Sequence, residues 1–218
     1  MNRPPRRLLR ILWVVWTLVF AGIFLAFLLA NLKLRAFLGN PLPVLGQVSD
    51  FTLTNQLGRA VSLADLRGHV WVADIIFTRC AGPCLKMSKQ MKELQESLPA
   101  ASKAQLISLT TDPAFDTPAV LKAYGERFAA NPGRWMFLTG SKQEVGHLAT
   151  NSLKLAGIEK KPEERESAVD LFIHSTIFVI VDKSAQLRGV FQTTGEDIDP
   201  LKVKKEIQAA IRRLEREP

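Results

Sequence analysis

From Ile11 to Leu32 the chain runs 22 residues without a charge. As an α-helix that stretch reaches about 33 Å, enough to cross the hydrocarbon core of a bilayer. No polar stripe interrupts it, so it does not suit a helix packed on a soluble core. Arg3, Arg6, Arg7 and Arg10 precede it, and Lys33 and Arg35 follow. The larger basic count holds the N-terminus in the cytoplasm and sends the rest across. A cleaved secretory signal has a shorter apolar region, about 7–15 residues, and a small-x-small cleavage site. The residues after this run, Asn31 to Leu38, offer no such site. The expected organisation is a basic cytoplasmic segment over 1–10, a retained transmembrane anchor over 11–32 and a linker over 33–47. One domain over 48–218 then lies on the outer, periplasmic side of the inner membrane.

The charge balance supports this division. The 218 residues carry a net charge of +8. The six basic residues just named fall within the first 40 positions with no acid among them, which leaves +2 for the body. A body so balanced lacks the basic footprint of a nucleic-acid binder. Two Cys exclude a disulfide-framework mini-protein and a Cys₄ zinc site.

The body alternates strand and helix patterns. Phe51 to Ser62 reads as strand, turn and strand, with Asn55-Gln-Leu-Gly-Arg between. Val70 to Phe77 is a nearly continuous apolar run, the signature of a central strand buried on both faces. Pro83 suits a first helical position, and Leu85 to Leu98 follows at helical spacing. Gln105–Thr110, Trp135–Leu138 and Thr176–Val181 read as further strands, with Leu187–Gln192 as hairpin partner of the last. Asp116-Thr117-Pro118 opens one helix, Ser141-x-x-Glu144 is a capping box opening another, and Asp199-Pro200 opens the final helix over Leu201–Arg216. Residues 158–168 read as a charged loop. This order predicts an α/β sheet covered on both sides. The terminal hairpin and helix narrow it to a thioredoxin-like three-layer sandwich with an N-terminal β-hairpin extension.

The chemistry gathers at Cys80-Ala81-Gly82-Pro83-Cys84, where the buried strand meets a helix. A helix N-terminus favours thiolate. The i, i+4 spacing puts both sulfurs on one face if that turn is helical. Such a pair can cycle between dithiol and disulfide, hold a soft metal, or be structural. Of the three His, His69 suits a solvated loop and His147 a helix surface. His174 stands at the start of the strand Thr176–Val181, at the sheet end expected to face the cysteines. Two thiolates and one imidazole make three ligands, a set better suited to copper than to four-coordinate structural zinc.

Several segments resemble the Sco/SenC copper chaperones: Phe51 to Gly68, Phe77 to Cys84, Ser108 to Pro113, Leu138-Thr-Gly and His174-Ser-Thr, in order over about residues 45–215. The resemblance implies a membrane-anchored thioredoxin-like domain with copper held by Cys80, Cys84 and His174, and Asp112 near that site. It implies a role in delivering copper to the dinuclear site of cytochrome c oxidase subunit II, or in keeping that site's thiols reduced, with that subunit or its assembly factors as partner. Two departures stand out. Ala81 occupies the place where the family usually has Pro, and Cys-Ala-Gly-Pro-Cys resembles the thioredoxin Cys-Gly-Pro-Cys with one residue inserted. Asp74, six residues before Cys80, matches the position of thioredoxin's buried Asp. These keep open a second expectation, an anchored thiol–disulfide oxidoreductase with Cys80 attacking, Cys84 resolving and Asp74 relaying a proton. The first is a binding protein without turnover, the second an enzyme. A thiol peroxidase has only Arg79 in its favour. Trp71 and Trp135 are expected to pack the core, and the charged stretch from Glu159 to Glu166 to be solvated.

Overall fold

The strand carrying the apolar run is buried at every position: β4, Trp71–Ile76. It lies between β5 (Gln105–Thr110), parallel to it, and β9 (Ile177–Val181), antiparallel. This arrangement comes from a computed structural model that describes residues 6–38, 41–80, 82–155, 157–159, 172–174 and 176–217, with backbone alone for 6–11, 34–38, 157–159 and 172–174. By internal contacts the chain forms two units, Met1–Pro41 and Leu42–Pro218.

The first unit is a helix, α1 (Arg6–Leu38). Its Leu12–Lys33 portion has mean hydropathy 2.5 and none of it is buried, as suits a candidate membrane span. Trp13 and Phe24 stand outward at 74% and 67% exposure. Such surface is stable against lipid and costly against water.

The second unit is built on an eight-stranded mixed sheet in the order β1-β10-β9-β4-β5-β6-β2-β3. The remaining strands are β1 (Gly46–Gln47), β2 (Thr52–Asn55), β3 (Ala60–Ser62), β6 (Trp135–Thr139) and β10 (Gln186–Gln192). Strand alternation divides the side chains between two faces. Val72, Ile76, Leu106, Trp135, Phe137, Phe178 and Ile180 pack under α3 (Pro83–Ser97), α4 (Pro118–Arg127) and α6 (Pro200–Arg216). Trp71, Ala73, Ile75, Ile107, Leu109, Val179 and Val181 face the other way, under α2 (Leu63–Leu66) and α5 (Lys142–Gly146). These are the three layers expected from the sequence. The capping box at Ser141/Glu144 forms in full, and at α2 the Asp65 carboxylate accepts from the Ser62 N–H at 2.8 Å. The helix start expected at Asp116-Thr117-Pro118 forms, with Thr117 capping α4 and accepting from the Val120 N–H.

Three local readings differ from the sequence expectation. The linker expected over 33–47 is engaged at both ends: α1 extends to Leu38, and Gly46–Gln47 pairs with Gln186–Leu187. Leu42 packs on the core, and its carbonyl accepts from the buried Arg188 at 2.7 Å. The helix opened by Ser141 passes into a π-helical turn, His147–Ser152. His174 does not open β9. It belongs to a separate two-stranded ribbon of β7 (Gly157–Glu159) and β8 (Phe172–His174), in which Gly157 faces His174. The rest of the expected charged loop lies outside the described residues.

Candidate functional site

Cys80 closes a tight turn at the end of β4, its N–H donating to the Phe77 carbonyl at 3.1 Å. Cys84 is the second residue of α3, behind Pro83. The sulfurs therefore meet across a turn and not along a helical face, because α3 starts only at Pro83. No disulfide joins them, and both residues are buried. Cys84 shares a side-chain hydrogen bond with Cys80 and receives one from the Phe77 backbone. That shared bond, and then burial, push the Cys84 thiol far above its ordinary range. The expectation that the helix N-terminus yields a thiolate is thus reversed. A helix end contributes about 0.3–1 kcal/mol at exposed sites, less than one pKa unit, and burial exceeds it. In the metal-free pair Cys84 carries its proton at neutral pH.

Asp74 lies on the same sheet face as Val72 and Ile76, the face that α3 covers. It has no solvent exposure. Oδ1 accepts the Ser108 hydroxyl at 2.6 Å, and the Ser108 oxygen accepts Trp135 Nε1–H at 3.0 Å. Burial pushes the Asp74 carboxyl up to about 7, with the Ser108 bond opposing. Its charge also disfavours thiolate at Cys84. One turn beyond Cys84, Ser88 shares a hydrogen bond with the buried Tyr124 hydroxyl at 2.9 Å. Burial, reinforced by Cys84 and Asp74, raises that phenol.

Two carboxylates approach the Cys80 turn from the segment after β5. Asp112 Oδ2 pairs with Arg79 Nη2 at 2.5 Å, and the Arg79 guanidinium lies 4.2 Å from the Phe115 ring centroid. Asp116 is fully buried and accepts from Thr78 N–H at 3.1 Å, from the Thr78 hydroxyl at 2.5 Å, and from the Thr110 hydroxyl. Burial raises this carboxyl too, against those donors.

The structure thus brings Cys80, Cys84, Asp74 and Asp112 to one end of the sheet. His69 precedes β4, at its opposite end, with Nδ1 3.1 Å from the Lys103 carbonyl. His147 is exposed on the far layer. The His174 side chain lies outside the described residues, and among those described no three His, Cys, Asp or Glu gather as a metal site. Antiparallel pairing of β9 with β4 puts the start of β9, three residues after His174, at the sheet end where β4 delivers Cys80. Sequence reasoning missed Asp116, Ser108 and Tyr124. Ser108 was detectable: it alternates with Leu106 on β5 as Asp74 does with Val72 on β4.

A model of the SCO1/SenC family matches residues 45–212. The chain belongs to that family. It is 37% identical over 162 residues to the SCO1 protein homolog of Bacillus subtilis (strain 168), covering 72% of this chain and 81% of the relative. Among solved structures it superposes on BsSco with a TM-score of 0.67 at 30% identity, covering 82% of this chain and 100% of that one. BsSco is a member of the Sco family of cytochrome c oxidase assembly proteins, in which a disulfide switch has been identified. Yeast Sco1 with copper bound shares the fold, with a TM-score of 0.62 at 24% identity over 78% of this chain and 90% of that one. The body is accordingly thioredoxin-like, as the sequence predicts. As a SCO1/SenC protein, the chain falls among proteins of copper handling and cytochrome c oxidase assembly.

Proposed function

We propose that this chain is a membrane-anchored copper metallochaperone. It carries copper on Cys80, Cys84 and His174 and delivers it to the dinuclear site of cytochrome c oxidase subunit II, or maintains the thiols of that site. The observation carrying this reading is the pair of touching, buried thiols at the end of a central strand. Two sulfurs in apolar surroundings suit a soft monovalent ion better than a hard one. His174 enters by sequence, three residues ahead of β9, whose first residues share the sheet end with Cys80. As the distant ligand it is the one that can detach while a recipient's ligand enters. Copper is the cargo, and its uptake displaces thiol protons. The α1 helix serves as the anchor, with the N-terminus cytoplasmic and the body on the periplasmic side of the inner membrane, so that body and oxidase meet at raised effective concentration. The copper held by yeast Sco1 supports the cargo assignment.

The test is anaerobic Cu(I) titration of the reduced full-length chain in detergent, beside Cys80→Ser, Cys84→Ser and His174→Ala. The expected result is one equivalent bound by the wild type and weaker binding in each variant. Binding untouched by His174→Ala refutes the three-ligand site.

One observation favours a second reading. A fully buried carboxyl with a pKa near 7 lies on the sheet face beneath α3. In a thiol–disulfide oxidoreductase, Cys80 attacks a partner disulfide and Cys84 resolves the mixed disulfide, which leaves a Cys80–Cys84 disulfide and sends the two thiol protons to the partner's departing sulfurs. In this reading Asp74 relays one of them. Here His174→Ala leaves disulfide exchange intact and Asp74→Asn slows it.

A further inference from the structure

Cys80 is 5% exposed and Cys84 1%. Both cysteines thus present very little surface to an incoming ion or partner thiol, and the turn that carries Cys80 bears on how much. Cys80 sits at the end of the Phe77–Cys80 turn, whose inner residues are Thr78 and Arg79. Each inner residue is held by one carboxylate from the loop between β5 and α4. Asp112 holds Arg79, and Asp116 holds Thr78.

The two holds differ in kind. The Arg79 side chain is 40% exposed, so its ion pair is open to water and salt. Asp116 is fully buried, and both its oxygens are engaged. The Thr110 hydroxyl that completes Oδ2 also accepts the Asp112 N–H at 3.0 Å, so Asp116 is itself fixed to the end of β5. Thr78 gives Asp116 both its backbone and its side-chain donor. Moving Cys80 outward by rotation about this turn breaks both bonds together and strands a buried carboxyl, the costly kind of hydrogen-bond loss.

We propose that Asp116 is a positioning residue that keeps the Cys80 turn shut over the thiol pair, so that access to the sulfurs is governed by release of Thr78 from Asp116. This deepens the reading of Cys80 and Cys84 as the working site and rests on it. The exposed Arg79–Asp112 pair opens readily, and Asp116 sets the rate.

The test is alkylation of the reduced full-length chain in detergent by iodoacetamide, with the label at each cysteine resolved by peptide mass spectrometry, in zero to 1 M urea. Thr78→Val removes the hydroxyl and keeps the shape, Thr78→Ser keeps the donor, and Asp116→Asn replaces one acceptor oxygen. Asp116→Asn and Thr78→Val are expected to label Cys80 at least about tenfold faster, with little urea dependence as for a local opening. Thr78→Ser is expected to stay within about twofold of wild type. Rates within twofold in both Asp116→Asn and Thr78→Val overturn the proposal. So does acceleration that strikes both cysteines equally and rises with urea as global unfolding does. Should Asp116→Asn fail to fold, the Thr78→Val and Thr78→Ser pair decides alone. The readout needs no metal, so a wild type that binds no Cu(I) refutes the chaperone reading without touching this one.

Discussion

Asp74 and Ser108 face each other across β4 and β5, with carboxylate and hydroxyl 2.6 Å apart in an interior that solvent does not reach. The carboxyl there has its pKa at about 7 because burial disfavours its charge.

That value predicts a pH-dependent stability with a definite sign. Unfolded, Asp74 ionises near pH 4. Folded, it holds its proton until about pH 7. Between those values the folded state binds the extra proton, so stability falls as pH rises, by about 1.4 kcal/mol per unit, and levels off above pH 7. Asp74→Asn removes this dependence. Urea denaturation of both proteins from pH 4 to 8 measures the difference, and parallel curves refute it.

Ser108 serves two partners, so its loss is felt twice. In Ser108→Ala, Asp74 Oδ1 loses its donor and Trp135 Nε1–H its acceptor, both in the buried core. An unsatisfied buried polar group costs about 1–3 kcal/mol, so the expected loss is about 2–6 kcal/mol for the two together. The midpoint of urea unfolding reports it.

Copper uptake should tighten with pH. The bond to Cys80 and burial hold the Cys84 proton far above the usual thiol range, so binding must displace it. The expected apparent affinity rises about tenfold per pH unit for each thiol proton released. Competition titrations of Cu(I) at pH 6, 7 and 8 test this, and a flat profile refutes thiolate ligation.

Gly125 shows two opposed terms. Ala in its place gains about 1 kcal/mol of helix propensity within α4. The added Cβ would stand 2.9 Å from Phe137 Cε2. That ring is fully buried and stacked on Trp135 at 4.9 Å, so it has little room to yield. Overpacking costs about 1–3 kcal/mol, so Gly125→Ala should be destabilised by about 1 kcal/mol net. An unchanged or raised melting temperature contradicts this.

The sequence reveals the central strands and helices because period-2 and period-3.6 patterns are local properties of the chain. Val70–Phe77 and Leu85–Leu98 are read within a residue or two for that reason. Cys80 and Cys84 are visible because Cys is rare here and the pair sits at a strand–helix junction. Asp116 escapes notice because an acid just before Thr117-Pro118 looks like an ordinary helix start. Its burial depends on Thr78, which is 38 positions away. The β7–β8 ribbon escapes for a related reason. Its strands are three residues each and lie on either side of a long charged stretch, with too few positions to show a period.

Arg188 gathers both extremities of the body at one guanidinium. It donates to the Leu42 and Pro43 carbonyls near the first residues of the unit, and pairs with Asp182 at 2.6 Å and with Glu217 at 2.9 Å near the last. A tug arriving along the backbone from residue 41 is therefore taken up at a clasp that also grips the C-terminal tail. Leu42 at the start of the body and Glu217 just after α6 are thus held through one side chain, so that loosening either disturbs the other.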